Sequence, residues 1–441
     1  MVNKFAAGMV IVLGVILTAL AGWGLIYLPD QMAKKARLTI ANLQEVLARD
    51  APSLTLAHGD ISANPFTARV TVADVSLARP GGEALRARTL GFSIDPFSRK
   101  LSAIDATLLR LDRPQAQLRI DKMLFEGVSP ETLRLLDRAA RGEATVEDII
   151  RDLRIPRLAF SGINVTAPRD GEANLQRIAL EGVEKGRIAS FSLEGFNLYK
   201  RGGRNPGEFA LDRMALGGLN LSEFLPAVMK GDFWPQLTQP VIGNFSFEGF
   251  RLLTEEGNFS MRRGALEAAY AKNDAGRPYA RKAQFLIDDL IVKPVRGNPQ
   301  FRDFLQKTGM TQLAASVKIV SASDHQARTV AMEELSFRVP ELADFNFSFI
   351  LGKMPKMMYE LTARPEDTFA FMAAMGDATI NGASFTINNT NLVQATLAQA
   401  SERQGIDAKA LIASFIAQAR AQADRQGQRF FHAIIDEVEK F

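Results

Sequence analysis

The most regular feature of the chain is an eight-residue pattern, apolar-x-apolar-x-Gly-apolar-x-apolar. Four copies match it fully, two match it with small departures, and three place an acidic residue where the glycine stands. Alternation with a period of two predicts β-strands. The copies are LAFSGINV from Leu158, FSLEGFNL from Phe191, MALGGLNL from Met214, FSFEGFRL from Phe245, IALEGVEK from Ile178, ATINGASF from Ala378, VTVADVSL from Val70, FLIDDLIV from Phe285 and VAMEELSF from Val330.

The glycine position interrupts this alternation. In a regular strand, positions 1 and 3 of the pattern would face one side of the sheet and positions 6 and 8 the other. One extra residue near position 5, as in a β-bulge, returns all four to the same side, and glycine accepts the left-handed backbone that a bulge often needs. Aspartate fits this explanation at some cost, and Glu334 fits it less well. The alternative is two short strands joined by a tight turn, and the sequence leaves both open.

Both interpretations predict a mainly β fold with helical segments. We expect a curved antiparallel sheet of short bulged strands after an N-terminal transmembrane helix, followed by C-terminal helices. The apolar face of a long curved sheet must be covered by helices, by a second sheet or by a ligand. The apolar residues of two copies are the candidates to line a lipid groove, although they could equally form a closed core: Phe191, Leu193, Phe196, Leu198, Phe245, Phe247, Phe250 and Leu252.

The amino-terminal segment predicts a membrane anchor. Residues 5–28 are apolar and uncharged, which is long enough for a helix to cross about 30 Å of hydrocarbon. Trp23 and Tyr27 lie near its far end, where such rings favour the membrane interface. A cleaved signal peptide is the alternative, because Ala19-Leu20-Ala21 resembles a cleavage site. The apolar run continues past that site, so we expect an uncleaved anchor, and Lys34, Lys35 and Arg37 just beyond it are expected to contact lipid headgroups.

Start and stop signals predict helices between the strands. Ser129-Pro130 begins one helix, Thr145 and Asp148 form a capping pair for a second, and Asn298-Pro299 begins a third. Residues 364–376 and the carboxyl terminus also have helical patterns, and we expect the terminal helices to pack over the sheet. The predicted organisation is an anchor at 1–29, β-rich regions at 30–155 and 156–390, and a helical region at 391–441.

Composition narrows the chemistry. The 53 basic and 49 acidic residues leave a net charge of +4 on 441 residues, which argues against a nucleic-acid partner. The chain has no cysteine, and its three histidines, His58, His325 and His432, are far apart in sequence. Adjacent strand residues point to opposite faces, so a doublet such as Asp288-Asp289 is not expected to aim two carboxylates at one substrate. We therefore predict no enzymatic activity, no cofactor and no metal site.

Residues 5–120 resemble the opening of the bacterial AsmA-like family. A single anchor leads into a short helix, then into SLTLAHGDISANPFTARVTVADVSLARP ending at Pro80, LRARTLGFSID from Leu85, and LSAIDATLLRLDRPQAQLRI, which contains Pro114. The later repeats resemble the family more loosely. The resemblance implies a Gram-negative envelope protein, anchored by a single pass in the inner membrane with the bulk of the chain in the periplasm. Such proteins carry phospholipid along a β-lined hydrophobic groove and support outer-membrane biogenesis.

The leading hypothesis is therefore a membrane-anchored protein that binds or conducts phospholipid acyl chains, with the membrane and other envelope proteins as further partners. The alternative is a scaffold that recognises another envelope protein through exposed strand edges and terminal helices, without lipid cargo. A lipid groove should stay open and continuously apolar. A scaffold should have a sealed core and an apolar patch outside it.

Overall fold

The computed structural model describes most of the chain between residues 54 and 425. The described ranges are 54–64, 66–79, 84–95, 101–113, 116–127, 129–140, 143–167, 171–201, 206–222, 242–254, 257–294, 299–340, 342–359, 377–389 and 405–425, with single helical residues between 33 and 45, between 391 and 401 and between 432 and 436. The predicted anchor at residues 5–28 and the predicted helix at 364–376 lie outside them. Among the described residues, no helix is long and apolar enough to cross a membrane.

Seventeen antiparallel strands form one curved, unclosed sheet. The strands are β1 (Thr55–Ala57), β2 (Ile61–Asn64), β3 (Arg69–Ala78), β4 (Ala84–Ile94), β5 (Leu101–Asp112), β6 (Gln117–Glu126), β7 (Arg154–Ala167), β8 (Gly171–Glu184), β9 (Arg187–Lys200), β10 (Gly207–Asn220), β11 (Asn244–Thr254), β12 (Asn258–Lys272), β13 (Pro278–Lys293), β14 (Leu313–Asp324), β15 (Thr329–Val339), β16 (Ala343–Gly352) and β17 (Thr379–Asn389).

The strand order follows the chain. From β3 to β17, each strand pairs with the strand before it and the strand after it. β1 and β2 lie end to end along the outer side of β3, so they and β17 form the two edges of the sheet. The boundary drawn at residue 155 falls inside β7, which pairs with both β6 and β8, so the two predicted β-rich regions share this sheet.

The repeat is a continuous strand with a kink, which confirms the bulge interpretation over the turn. Seven of the nine copies hold their fifth residue in the left-handed region, among them Gly195 at φ 62°, Gly249 at φ 65° and Asp289 at φ 50°, and the strands run through these residues. The strands are therefore longer than the short strands that the sequence predicted. The other two copies have an extra residue instead of a left-handed one. Glu333 of β15 has no paired residue in β14, and Asn381 of β17 has none in β16.

Three of the described helices lie in connections between strands: α1 (Pro130–Ala140), α2 (Val146–Asp152) and α3 (Pro299–Lys307), and a 3-10 turn at Lys356–Tyr359 does the same. The helix α4 (Ala408–Arg425) follows β17. The predicted helix starts are confirmed: the Ser129 hydroxyl accepts from the backbone N–H of Thr132, and Thr145 with Asp148 forms a capping box. The Thr145 hydroxyl and backbone N–H, with Arg151, keep the pKa of the Asp148 carboxyl below its usual value.

The largest buried core lies at the amino-terminal end of the sheet. Ala36 and Ile40, in the helical segment between residues 33 and 45, belong to the same buried cluster as Val70, Phe92 and Ile104. This helix therefore covers the sheet at β3–β5. A smaller buried cluster lies at β14–β16, and Phe304 of α3 packs against it. The next residue of α3, Leu305, is buried.

Candidate functional site: an apolar sheet face

The register of the strands aligns apolar residues into continuous rows on one face of the sheet. One row crosses the sheet from β2 to β17, and every member except Gly264 has an apolar side chain. The Phe247 ring occupies the space that a side chain at Gly264 would fill. Because directly paired residues of neighbouring strands point to the same face, the row is one continuous strip. Its members are Ile61, Val72, Leu90, Ala106, Met123, Phe160, Ile178, Leu193, Met214, Phe247, Gly264, Ile287, Val317, Phe337, Phe345 and Ile387.

A second row, which includes Leu158, Phe191 and Phe245, runs parallel to the first, and two more lie beyond the kinks, the third of which includes Phe196 and Leu211. The fourth row is apolar at all thirteen positions from Leu56 to Leu313 and includes Leu198, Phe209 and Leu252. We call the side formed by the four rows the apolar face. The rows on both sides of the kinks share this face because each kink restores the side-chain direction. The Phe247 and Phe250 rings, three residues apart in β11, have centroids 6.2 Å apart.

All eight predicted groove residues lie on the apolar face. Four are in β9 and four are in β11, on either side of β10. The structure adds the residues of β10 that lie between them: Phe209, Leu211, Met214 and Leu216. The Phe209 ring joins the two groups, with centroids 5.5 Å from Phe196 and 5.4 Å from Phe250. Sequence reasoning missed Phe209 because it precedes the copy that begins at Met214, and only strand pairing shows its neighbours.

The apolar face is closed at one end and open in the middle. At β3–β5 its side chains are buried, as for Ile104 with 1% exposure. From β7 to β13 the row residues are partly exposed except Leu211 and Gly264, and four reach higher values: Leu198 41%, Phe259 37%, Leu266 37% and Phe285 38%. We call β7–β13 the open section. The buried cluster that contains Ala36 and Ile40 extends to Ile155, Val183 and Ile188 of β7–β9, and the row residues Leu158, Leu180 and Phe191 pack against its edge. Among the described residues, no helix joins a buried cluster with the row residues of β10–β13.

The opposite face carries charge. A row across β8–β13 alternates in sign from one strand to the next, and each pair of neighbours is in direct register. Such an arrangement opposes unlike charges across every strand pair, which stabilises the pairing. The members are Arg177, Glu194, Arg213, Glu248, Arg263 and Asp288. One sheet therefore has an apolar side and a charged side.

The premise that adjacent strand residues point to opposite faces does not hold for one acidic doublet. Both carboxylates of Asp288 and Asp289 contact the Arg262 guanidinium, with Arg262 Nε 2.7 Å from Asp289 Oδ2. The left-handed backbone of Asp289 turns its side chain away from the alternation that the sequence argument assumed. Hydrogen bonds and charge from both aspartates raise the pKa of Arg262.

A buried aromatic cluster closes one rim of the sheet. The His325 ring, 6% exposed, lies beside the Tyr279 and Tyr359 rings at the ends of β13–β15. The Tyr359 hydroxyl donates to the Thr329 carbonyl at 3.1 Å. Burial raises the pKa of Tyr359 to about 12, so the phenol is neutral at physiological pH. These contacts give His325 a packing role at the rim.

The remaining predicted residues lie apart from the open section. Lys34 and Arg37 are exposed on the helical segment that carries Ala36, and Lys35 lies outside the described residues. Arg420 of α4 donates a hydrogen bond to Asp436, so α4 contacts a helical residue near the carboxyl terminus. In the described part of the chain, no group of three or more potential ligands could hold a metal ion.

Comparison with known proteins adds one match. A family model described as "Uncharacterized protein" matches residues 336–441, from the end of β15 through β17 to the carboxyl terminus. No curated protein matches the chain. The matched segment does not overlap residues 5–120, on which the AsmA-like resemblance rests.

Proposed function

We propose that this protein binds phospholipid acyl chains on the open section of its apolar face. The observation that carries the proposal is the continuity of the apolar rows through strands whose side chains stay partly exposed. Seven strands spaced about 4.8 Å apart give the open section a length of roughly 30 Å. The hydrocarbon of one membrane leaflet is about 15 Å deep, half the bilayer core. The open section is therefore long enough to hold acyl chains.

The difference between the two ends of the sheet supports this proposal over a closed core. The same kinds of residue occupy the rows at β3–β5 and at β7–β13, but those at β3–β5 are buried beneath the covering helix, whereas most of those at β7–β13 are partly exposed. Large continuous apolar surfaces left partly exposed are typical of interaction sites. A groove also needs polar surroundings that keep the protein soluble, and the charged row on the opposite face supplies them.

We place the protein, on the AsmA-like resemblance and the hydropathy of residues 5–28, in the inner membrane of a bacterium with the sheet in the periplasm. The proposed role is to carry or hand over phospholipid in support of envelope biogenesis. The alternative remains a scaffold that recognises another envelope protein. One long edge strand, β17, favours that alternative, because no described strand lies along its outer side and edges pair readily with partner strands.

Native mass spectrometry of residues 30–441, purified from cells without detergent, tests the proposal. We expect discrete adducts with phospholipid masses, which Phe196→Glu and Phe250→Glu abolish. Asn197→Glu is the matched control, because Asn197 follows Phe196 in β9 and lies exposed on the charged side. An adduct-free mass for the unaltered chain would refute stable lipid binding, and unfolding of both Phe variants would assign these residues to a closed core.

A further inference from the structure

The two edges of the sheet differ in how well they are protected. The β1/β2 edge is short and broken: β1 has three residues, β2 has four, and irregular backbone at His58–Asp60 separates them. Leu56 and Ile61 on this edge are buried. Proteins commonly protect sheet edges with such short or interrupted strands, because an open edge is a template for pairing with another chain.

The β17 edge is neither short nor broken by a loop. Its eleven residues, TINGASFTINN, contain no charge and no proline. Among the described residues, β17 pairs only with β16, and no described strand lies along its outer side. Its apolar side chains are well exposed, with Ile380 at 45% and Phe385 at 50%. β17 is therefore long and uncharged for an edge strand, and its regular central part lies between two irregularities, where Asn381 and Asn388 have no partner in β16.

We propose that β17 pairs antiparallel with β17 of a second copy of this chain, about a two-fold axis at Phe385. In that register Phe385 faces Phe385 of the second copy, and Ala383 faces Ile387. All three lie on the apolar face, because they pair with Phe349, Phe347 and Phe345 of β16. The self-complementary register is what favours a second copy as the occupant, since a C2 contact needs a surface that matches itself.

The other side of the pairing is also compatible. Ser384 faces Thr386 in both directions, so polar residues meet polar residues and no like charges are opposed. The apolar rows that end at Phe385 and Ile387 then continue into the second copy. The joined sheet would extend about 150 Å, at roughly 4.8 Å per strand, with the two amino-terminal ends at its opposite ends. This contact depends on the strand edge alone and does not require lipid cargo.

The oligomeric mass of the full chain in detergent, measured by light scattering on a sizing column, tests the contact. The double variant Ser384→Lys/Thr386→Lys places lysine opposite lysine twice in the proposed register, and both positions are exposed. We expect a dimer for the unaltered chain and roughly tenfold weaker dimerisation for this variant, because like charges directly opposite each other destabilise strand pairing. Asn197→Lys, on the charged side of an inner strand, is the control and should leave the dimer unchanged.

Cysteine cross-linking tests the register, because the chain contains no cysteine of its own. Directly opposed strand residues have Cα atoms about 4.5–5.5 Å apart, which suits a disulfide. Phe385→Cys should therefore cross-link to itself, whereas Ser384→Cys should not, because the two Ser384 positions are offset by two residues.

Three outcomes would overturn the proposal: a monomer at tens of micromolar, a dimer that the two lysines leave intact, or cross-linking of Phe385→Cys in cells to a different protein only. Lipid content measured on the same samples reports separately on the proposed function. A monomer loaded with lipid would thus refute the dimer and leave the groove standing.

Discussion

Two adjacent leucines of β11 offer the sharpest test of the groove. Leu252 lies on the apolar face between Phe209 and Phe259, whereas Leu253 lies on the other face between Glu208 and Asn258. Leu253 is 39% exposed. Leu252→Glu and Leu253→Glu therefore make the same chemical change, one residue apart, on opposite faces of one strand. We expect only Leu252→Glu to weaken lipid binding.

The size of the effect follows from the contacts that a carboxylate would displace. A methylene group loses about 0.8 kcal/mol when it leaves apolar surroundings. If a hydrated carboxylate at residue 252 keeps about three methylenes of an acyl chain off the sheet, the loss is about 2.4 kcal/mol, which is roughly 50-fold in affinity. The same carboxylate at residue 253 adds one charge to a face that already carries a row of charges, so its effect on affinity should be less than about twofold.

The assay is a titration of the detergent-solubilised full chain with a phospholipid that carries a fluorescent acyl chain. Thermal unfolding of both variants shows whether either substitution damages the fold. An equal loss of affinity in both variants, or an unchanged affinity for a well-folded Leu252→Glu, would refute the reasoning that the apolar face holds the acyl chain.

Three further predictions concern the kinks, the closed end and the rim. Gly249→Ala should destabilise the fold by at least about 1–2 kcal/mol in chemical denaturation, because the residue is left-handed and a Cβ would overlap the Asp212 carboxylate. Gly382→Ala is the control: Gly382 has open space beside it, so the substitution should leave the free energy of unfolding unchanged. A photoreactive phenylalanine at Phe250 should cross-link to lipid and one at Phe92, buried beneath the covering helix, should not; labelling at both would show that the helix leaves the sheet. Tyr359→Phe should cost about 1 kcal/mol near pH 7 through the lost hydrogen bond. Burial raises the Tyr359 pKa from 10.0 to about 12, so the contribution of the neutral phenol is complete below pH 10 and is lost as the pH rises towards about 12. The stability of the unaltered chain relative to Tyr359→Phe should therefore fall as the pH rises from 8 to 12, and a constant difference between the denaturation midpoints would contradict this.

Local pattern was enough to predict the strands and the position of their kinks. In seven of the nine copies the alternation changes phase at the fifth residue, where glycine or aspartate indicates a left-handed backbone before any pairing is known. In the other two copies the unpaired residue is the fourth, Glu333 or Asn381. The sequence could not distinguish a kink from a turn, because both place glycine at the same point. Long-range pairing decides between them: Phe160 pairs with Ile178 and Ile163 pairs with Leu175, so one register holds on both sides of Gly162.

The extent of the site was harder to predict than its character. The eight predicted residues share one face, but Phe209, which joins their rings, falls outside the repeat. Whether a row is open or closed depends on which helix packs over it, and nothing in the residues of the row records this. Val72 and Leu193 occupy the same row, yet Val72 is buried and Leu193 is partly exposed. The difference comes from the helical segment between residues 33 and 45, far from both in sequence.

The kinks and the open face are physically connected. A regular strand of fourteen residues alternates strictly, so an interruption of the apolar pattern by one residue would move half of its apolar side chains to the charged side. The strands β5, β7, β9, β11 and β13 each have a left-handed residue at the same height in the sheet. In the strands between them, the residue beside each left-handed residue has no paired residue in the ladder. The neighbours change phase together, which keeps all four rows on one side. A closed core could bury a few misdirected residues under loops, but an open face that must stay apolar over seven strands needs this agreement in every strand.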